Sequence, residues 1–424
     1  MRILFLPSPT DVCYAGIALA HGTRHELDSE SGLAHFTEHM SFKGTQHLTS
    51  MQILSRIDAV GGELNAYTAK EETVYYATFG KEYLDRAIDL LVDIVFRSTY
   101  PQQEIDKEVE VVCDEIESYN DSPSELIFDE FETLLFPAHP LGRNILGTAE
   151  RLREYTTADF EHFVQRGYTP ENALFFVRGR VDEDHVRRRV EQALQQGEGR
   201  KAGILEFWKA GTEGAASAEE CLHSFCRVAS EEDRSSIPAI PRSLYREREM
   251  NTHQAHVMMG TAAYGMNHPR RMALSLLNNV LGGPSMNSRL NIALREKAGL
   301  VYTVETNYMT YSDAGVWSIY FGCDPHDVER CSKLVNKELR RLIDTPLTPR
   351  TLAAVKRQMQ GQLRIATDNF QDTTLSAAKR MLLTGHVATT EEVCQQIEAL
   401  DATTLQETAA EIFEPNRLTT LMYH

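Results

Sequence analysis

The chain has 424 residues, more than one hydrophobic core supports, so two or more large domains are expected. Hydrophobic residues make up 42% and charged residues 25%, an ordinary globular balance that excludes disordered and fibrous classes. A formal net charge of −18 repels nucleic-acid phosphates and excludes a DNA or RNA partner; it serves solubility and, on a sharper reading, attracts basic peptides.

In chain order, residues 2–20 read as extended structure. Asp28, Ser29 and Ser31 offer helix caps, and a helix follows over 32–40. Met51, Leu54, Ile57 and Val60 predict an amphipathic helix over 49–60, ended by Gly61-Gly62. Tyr67 to Phe79 is rich in Thr, Val and Tyr and reads as one strand. Helices are expected over 81–96, from Pro101 to about Tyr119, over 124–136, 157–165 and 182–196, with a strand at 172–178.

Residues 196–245, with Gly-Glu-Gly and Ile-Pro-Ala-Ile-Pro, read as an interdomain linker, part of which packs through Phe207, Trp208 and Leu222. The second half repeats the plan of the first. Strands are expected at 256–263, 302–311, 316–322 and 418–423, with helices at 270–281, 290–296, 328–343 and 349–367. The pattern suggests an ancient duplication, with domains at 1–195 and 246–424.

Seven cysteines, odd in number and scattered, form no pair of CxxC units and fit free thiols in a reducing compartment. The apolar run after Met1 is too short for a signal peptide. No run of 18 apolar residues predicts a membrane span, so the expected location is cytoplasmic.

The chemistry is concentrated in His35-Phe36-Thr37-Glu38-His39. His35 and His39 are four apart and share one helix face, so two imidazoles can converge on one Zn²⁺. Glu38 projects to the edge of that face as a general base. HxxEH is the reverse of HExxH and is a zinc-peptidase signature. A catalytic zinc needs a third protein ligand and an open position. Helix 101–119 carries many acids, among them Glu104, Glu108, Glu110, Asp114, Glu115 and Glu117, and spacing alone does not choose among them.

The segment from Gly32 to Thr45 resembles the pitrilysin/insulinase family of zinc metallopeptidases, in particular its processing-peptidase-like members. Gly61-Gly62-Glu63-Leu64-Asn65-Ala66-Tyr67-Thr68 with Glu71, Thr73 and Tyr75 matches a second family block, and His139-Pro140-Leu141-Gly142 with Ile145 and Gly147 a third. The resemblance implies an α+β fold of two homologous α/β domains. Each would be a mostly antiparallel sheet flanked by helices, and together they would form half of a clam-like chamber. It implies Glu115 as third ligand to one zinc per chain and Glu108 as a supporting glutamate. It also implies Arg295 and Tyr302 as substrate contacts near the scissile bond, and Asn65 and Ala66 on a substrate-binding strand edge. The second half has no HxxEH. The expected activity is a zinc endopeptidase acting on peptides or unfolded polypeptides; the alternative is a non-catalytic binding or structural subunit of the same fold. A homodimer is the simplest assembly, and a heterodimer with a related subunit is the other.

Overall fold

The computed structural model describes residues 1–196, 206–209, 243–250 and 252–424. Most of the expected linker, with Leu222, Cys221 and Cys226, lies outside the described residues. The first half runs β1 (Arg2–Pro7), β2 (Val12–Leu19), α1 (Leu33–Met40), α2 (Ser50–Asp58), β3 (Glu63–Thr68) and β4 (Thr73–Gly80). It continues through α3 (Leu84–Phe96), α4 (Gln102–Asn120), α5 (Pro123–Leu135), the single turn α6 (Ala149–Leu152), α7 (Thr157–Gly167), β5 (Ala173–Gly179) and α8 (Glu183–Gln195). After β6 (Glu206–Lys209) come β7 (Tyr245–Arg248), β8 (Ala255–Ala263), α9 (Arg271–Gly282), a π-helical turn (Asn291–Glu296), β9 (Val301–Thr310) and β10 (Gly315–Cys323). The chain ends with α10 (Val328–Asp344), α11 (Pro349–Ala366), α12 (Phe370–Thr384), α13 (Thr390–Ala399), α14 (Ala402–Ile412) and β11 (Thr419–Tyr423).

The repeated plan expected from the sequence is visible in the strand order. One sheet reads β3-β4-β2-β5-β1-β6 and the other β9-β10-β8-β11-β7. Strand by strand, the second order repeats the first. The pairings repeat too: β1 lies parallel to β5 as β7 does to β11, and the three remaining matched junctions are antiparallel in both sheets. β6 adds to β1 in parallel, so Phe207 and Trp208 sit in a paired strand.

Two compact units result. The first comprises the described residues of Met1–Ser118, Arg143–Cys226 and Asn369–Val387, and the second those of Tyr119–Gly142, Arg227–Asp368 and Ala388–His424. Each therefore takes one helix from the other half of the chain, an exchange that boundaries at 195 and 246 do not register. In the first unit, α12 packs on β1, β2 and β5, and Ala378, Met381 and Leu382 meet Leu4, Ala18, Leu174 and Phe176. The Arg2 guanidinium donates to the carbonyls of Met381 (3.1 Å) and Leu382 (3.0 Å), placing a cation at the negative end of that helix. α3 packs on β2, β4 and α8. In the second unit, α5 lies on β8 and β11, with Leu126, Ile127 and Phe131 against Met258, Val316 and Tyr423. Trp317 lies 4.4 Å from Phe413 in a separate apolar cluster. β10 is buried along its whole length.

Three local differences from the sequence reading have physical causes. The strand expected over 67–79 is a hairpin, β3 and β4, closed by Ala69–Glu72, where the Ala69 N–H donates to the Glu72 carbonyl (2.8 Å). That turn holds no Gly, Pro or Asn to announce it. α2 buries Ile53 and Ile57 and exposes Met51 and Leu54, 72% and 47% accessible. Helical spacing alone favoured the wrong stripe. The three helices between Phe370 and Ile412 are absent from the sequence reading. Among the described residues no helix is long and apolar enough to cross a membrane, and Cys13, Cys113, Cys323, Cys331 and Cys394 are buried free thiols.

The α2 difference is directly checkable. Ile53→Ala should cost about 2–5 kcal/mol, while Leu54→Ala should stay within about 0.5 kcal/mol of the parent. Denaturant midpoints of the two variants measure this, and equal losses would return Leu54 to the core.

Candidate metal centre

The site starts at the first turn of α1. Gly32 has a φ of 81° and Gly147 a φ of 73°, and their backbones meet so closely that a Cβ on Gly32 would lie 2.8 Å from the Gly147 Cα. Glycine answers both demands, left-handed backbone and close approach. The Glu26 carboxylate accepts the N–H groups of Ala34 (2.8 Å) and Gly32 (3.3 Å), filling donors that a helix start leaves open. Burial pushes the Glu26 carboxyl up to about 8, against those backbone bonds.

α1 then presents His35 and His39 with ring centres 4.7 Å apart. α4 brings up Glu115. Its carboxylate lies 3.4 Å from His39 Nε2 and 3.8 Å from His35 Nε2. One donor atom from each of the three residues lies within 4.8 Å of the others. Donors at roughly 2.0–2.2 Å from a tetrahedral zinc sit about 3.3–3.6 Å apart, so the cluster fits that ion with little movement. Two imidazoles and one carboxylate also leave a fourth position open.

Glu108, two turns before Glu115 on the same helix face, is buried. His39 Nδ1 donates to it at 3.1 Å, and Lys43 Nζ pairs with its other oxygen at 2.5 Å. That bond holds the proton on Nδ1 and leaves Nε2 for a cation. The other acids of α4 have other settings: Glu104 pairs with Lys107 and Glu110 with Arg153, Asp106 accepts from Gln102, and Asp114 and Glu117 are exposed. Burial holds His35 below the usual imidazole range, in the neutral form that ligates metals. For His39 burial pulls the same way, but the hydrogen bonds to Glu108 and Glu115 prevail and raise it to about 9.

Glu38 lies beside this cluster. Thr68 Oγ1 donates to its carboxylate at 2.6 Å. Burial raises the Glu38 carboxyl, and the Thr68 bond opposes that rise. Thr68 ends β3, the edge strand of its sheet. Asn65 and Ala66 stand on the same strand, paired with Tyr76 and Tyr75, with Asn65 exposed. Under α1, Ser41, Tyr75 and Tyr168 form a buried hydroxyl chain at 2.9 and 3.2 Å. Sequence reasoning missed Glu26, Lys43 and Thr68 as site residues. Lys43 follows His39 by one helical turn and Thr68 closes the second motif block, so both had a readable signal; Glu26 had none.

Arg295 and Tyr302 belong to the second unit. The guanidinium lies 5.7 Å from the Tyr302 ring centre, and both border a cavity of about 780 Å³ with Asn279, Glu305 and Gln362. Tyr302 is 80% exposed.

Paired histidines on one helix turn, a glutamate between them and a distant carboxylate form the donor pattern of an inverted-motif zinc peptidase. The chain belongs to the insulinase family of peptidases, family M16. The profile of that peptidase family matches residues 2–149, and the profile described as the M16 inactive domain matches residues 154–359. An uncharacterized zinc protease of Bacillus subtilis, YmxG, is 31% identical over 415 residues, covering 97% of this chain and 93% of its own length. One from Streptomyces coelicolor, SCO5738, is 33% identical over 356 residues, covering 84% and 72%. A protease structure from Helicobacter pylori superposes with a TM-score of 0.83 at 21% identity, covering 99% of this chain and 95% of that one. A structure described as the peptidase M16 inactive domain from Pseudomonas fluorescens gives 0.82 at 18% identity, covering 99% and 94%. Family and relatives together support a metallopeptidase.

Glu108→Gln should leave the fold intact and weaken zinc binding by about 10–100-fold. Competition with a metallochromic chelator measures this, and parental affinity would remove Glu108 from the site.

Proposed function

We propose that the chain is a zinc-dependent endopeptidase that cuts extended peptides or unfolded polypeptides, with Glu38 as general base. The observation that carries this is the convergence of His35, His39 and Glu115 beside a Glu38 carboxyl steered by Thr68.

Zinc, when bound by His35, His39 and Glu115, supplies Lewis acidity toward a peptide carbonyl and makes water at the site more acidic. Glu38 takes the proton from the attacking water and passes it to the leaving amine. The Thr68 hydroxyl holds one Glu38 oxygen and leaves the other to face the water. Glu108 and Lys43 keep His39 in one tautomer. Among the described residues β3 has an unpaired edge, so a substrate strand docks there through backbone hydrogen bonds and is read only weakly by sequence. Asn65 lies along that strand, and the Thr68 end delivers the peptide to Glu38.

Arg295 and Tyr302 serve as substrate contacts that donate to the developing oxyanion. What supports this role is their pairing at the rim of one cavity and the family resemblance of the Arg295–Tyr302 segment. The assembly we propose is a homodimer, since one chain carries both the metal cluster and the Arg/Tyr pair. A non-catalytic subunit would not need a complete ligand set together with a held glutamate.

Glu38→Gln should retain one zinc per chain and lose about 10²–10⁴-fold in turnover. A quenched fluorescent peptide assay with metal analysis measures both, and wild-type turnover would leave the chain without this base. Mixing Glu38→Gln with Tyr302→Phe protein tests the dimer. Recovered activity shows that one subunit's tyrosine serves the other's zinc; a monomer by light scattering at working concentration rejects the dimer.

A further inference from the structure

The turn between β3 and β4 carries three consecutive charged residues, Lys70, Glu71 and Glu72, and they are only 3%, 3% and 1% accessible. Charged turn residues ordinarily face water, because burying an unpaired charge is costly. Here each reaches a different segment of the first unit. Lys70 Nζ donates to the Arg143 carbonyl, Glu71 pairs with Arg24 at 2.7 Å, and Glu72 pairs with Lys379 of α12 at 2.6 Å.

Arg24 comes from chain that already lies against the turn. The Thr23 and Arg24 N–H groups donate to the carbonyls of Ala69 (3.2 Å) and Lys70 (2.7 Å), and a Cβ on Gly22 would lie 2.2 Å from the Ala69 oxygen. Lys379 instead arrives from the second half of the sequence. Its partner is only half satisfied: Glu72 Oε1 takes the ammonium, while Oε2 is buried without a hydrogen bond among the described residues. Burial pushes the Glu72 carboxyl up, and the Lys379 charge pulls it back. Buried pairs of this kind add little net stability, so geometry is the better reason for this one.

The geometry within its reach is that of Glu38. Thr68 and Thr73 are the last cross-strand pair before the turn, and the Thr68 hydroxyl donates to the Glu38 carboxylate at 2.6 Å. Among the described residues β3 pairs only with β4, so its final residue is held by that ladder and by the turn. A displacement of about 1 Å at a reacting group can cost on the order of 10²-fold in rate.

We propose that Lys379 is a positioning residue for peptide hydrolysis: through Glu72 it holds the β3–β4 turn, and through the turn it keeps the Thr68 hydroxyl on Glu38. This rests on the reading of Glu38 as general base.

Two variants test it. Glu72→Met removes the carboxylate, keeps its length and leaves the Lys379 side chain, 29% accessible, free to turn to water, so the melting temperature should hold. Lys379→Met strands the Glu72 carboxylate and should lower the melting temperature as well, which makes Glu72→Met the variant that separates geometry from stability. On a quenched fluorescent peptide each should lower kcat about tenfold or more, with KM and zinc content unchanged. In a Thr68→Val background neither should lower kcat further, because both act through that hydroxyl; a merely structural role gives the same loss again. Hydrogen exchange of the full-length protein, followed by mass spectrometry, reads the hold without activity: peptides covering residues 64–75 should exchange faster in both variants, and those covering α3 should not. A parent that cuts no peptide rejects the peptidase reading, while faster exchange would still show the hold of Lys379 and Glu72 on the turn. Parental kcat in both variants, full additivity with Thr68→Val, or unchanged exchange over 64–75 overturns the proposal.

Discussion

The hydrogen bond between His39 and Glu108 ties the site to the fold. It joins α1 to α4, and the two glutamates of α4, two turns apart, then reach the same face of α1. Because Glu108 is buried and also holds Lys43, rotation of either helix would strand a charge away from water, which is far costlier than losing a surface contact. The position of Glu115 follows from this. The register that seats Glu108 on Nδ1 of His39 sets its helical neighbour opposite Nε2. The three groups that could hold a metal ion are thus brought together by a hydrogen bond that one of them, His39, makes on its far side.

Electrostatics in the cluster divides the labour among similar residues. His35 is kept neutral by burial, while His39, with two carboxylates against it, holds a proton that a cation would displace. Glu38 and Glu115 carry the same side chain in different settings. Glu115 is kept acidic first by its hydrogen bond with His39, whereas Glu38 is driven toward protonation by burial. A ligand must stay charged and a base must exchange its proton, and the two environments favour those two roles.

The parts of this arrangement legible in sequence are those set by local periodicity. His35, Glu38 and His39 declare themselves by spacing on one helix, and most strands and helices declare themselves by apolar pattern. Glu115 was one acid among seven until the resemblance singled it out, because selection among them depends on which face of α4 meets α1, a tertiary fact. The α2 stripe failed for the same reason: Met51 and Ile53 are both apolar, and only the neighbouring sheet and α3 decide which one is covered. Glu26 was invisible because its partners are backbone N–H groups rather than a side-chain motif. The hairpin at Ala69–Glu72 lacked the residues by which turns are read.

The helix exchange bears on how such a molecule is made. Each sheet is roofed on one face by a helix encoded in the other half of the gene: α12 covers β1, β2 and β5, and α5 covers β8 and β11. The roof of the first sheet leaves the ribosome some two hundred residues after its last internal strand, β5, so the apolar faces of Leu174 and Phe176 wait through nearly half of synthesis and that of Leu4 through most of it. The two units are therefore not separable modules of contiguous chain. Neither could be inherited, truncated or transplanted alone without leaving one sheet bare and one amphipathic helix with nothing to cover.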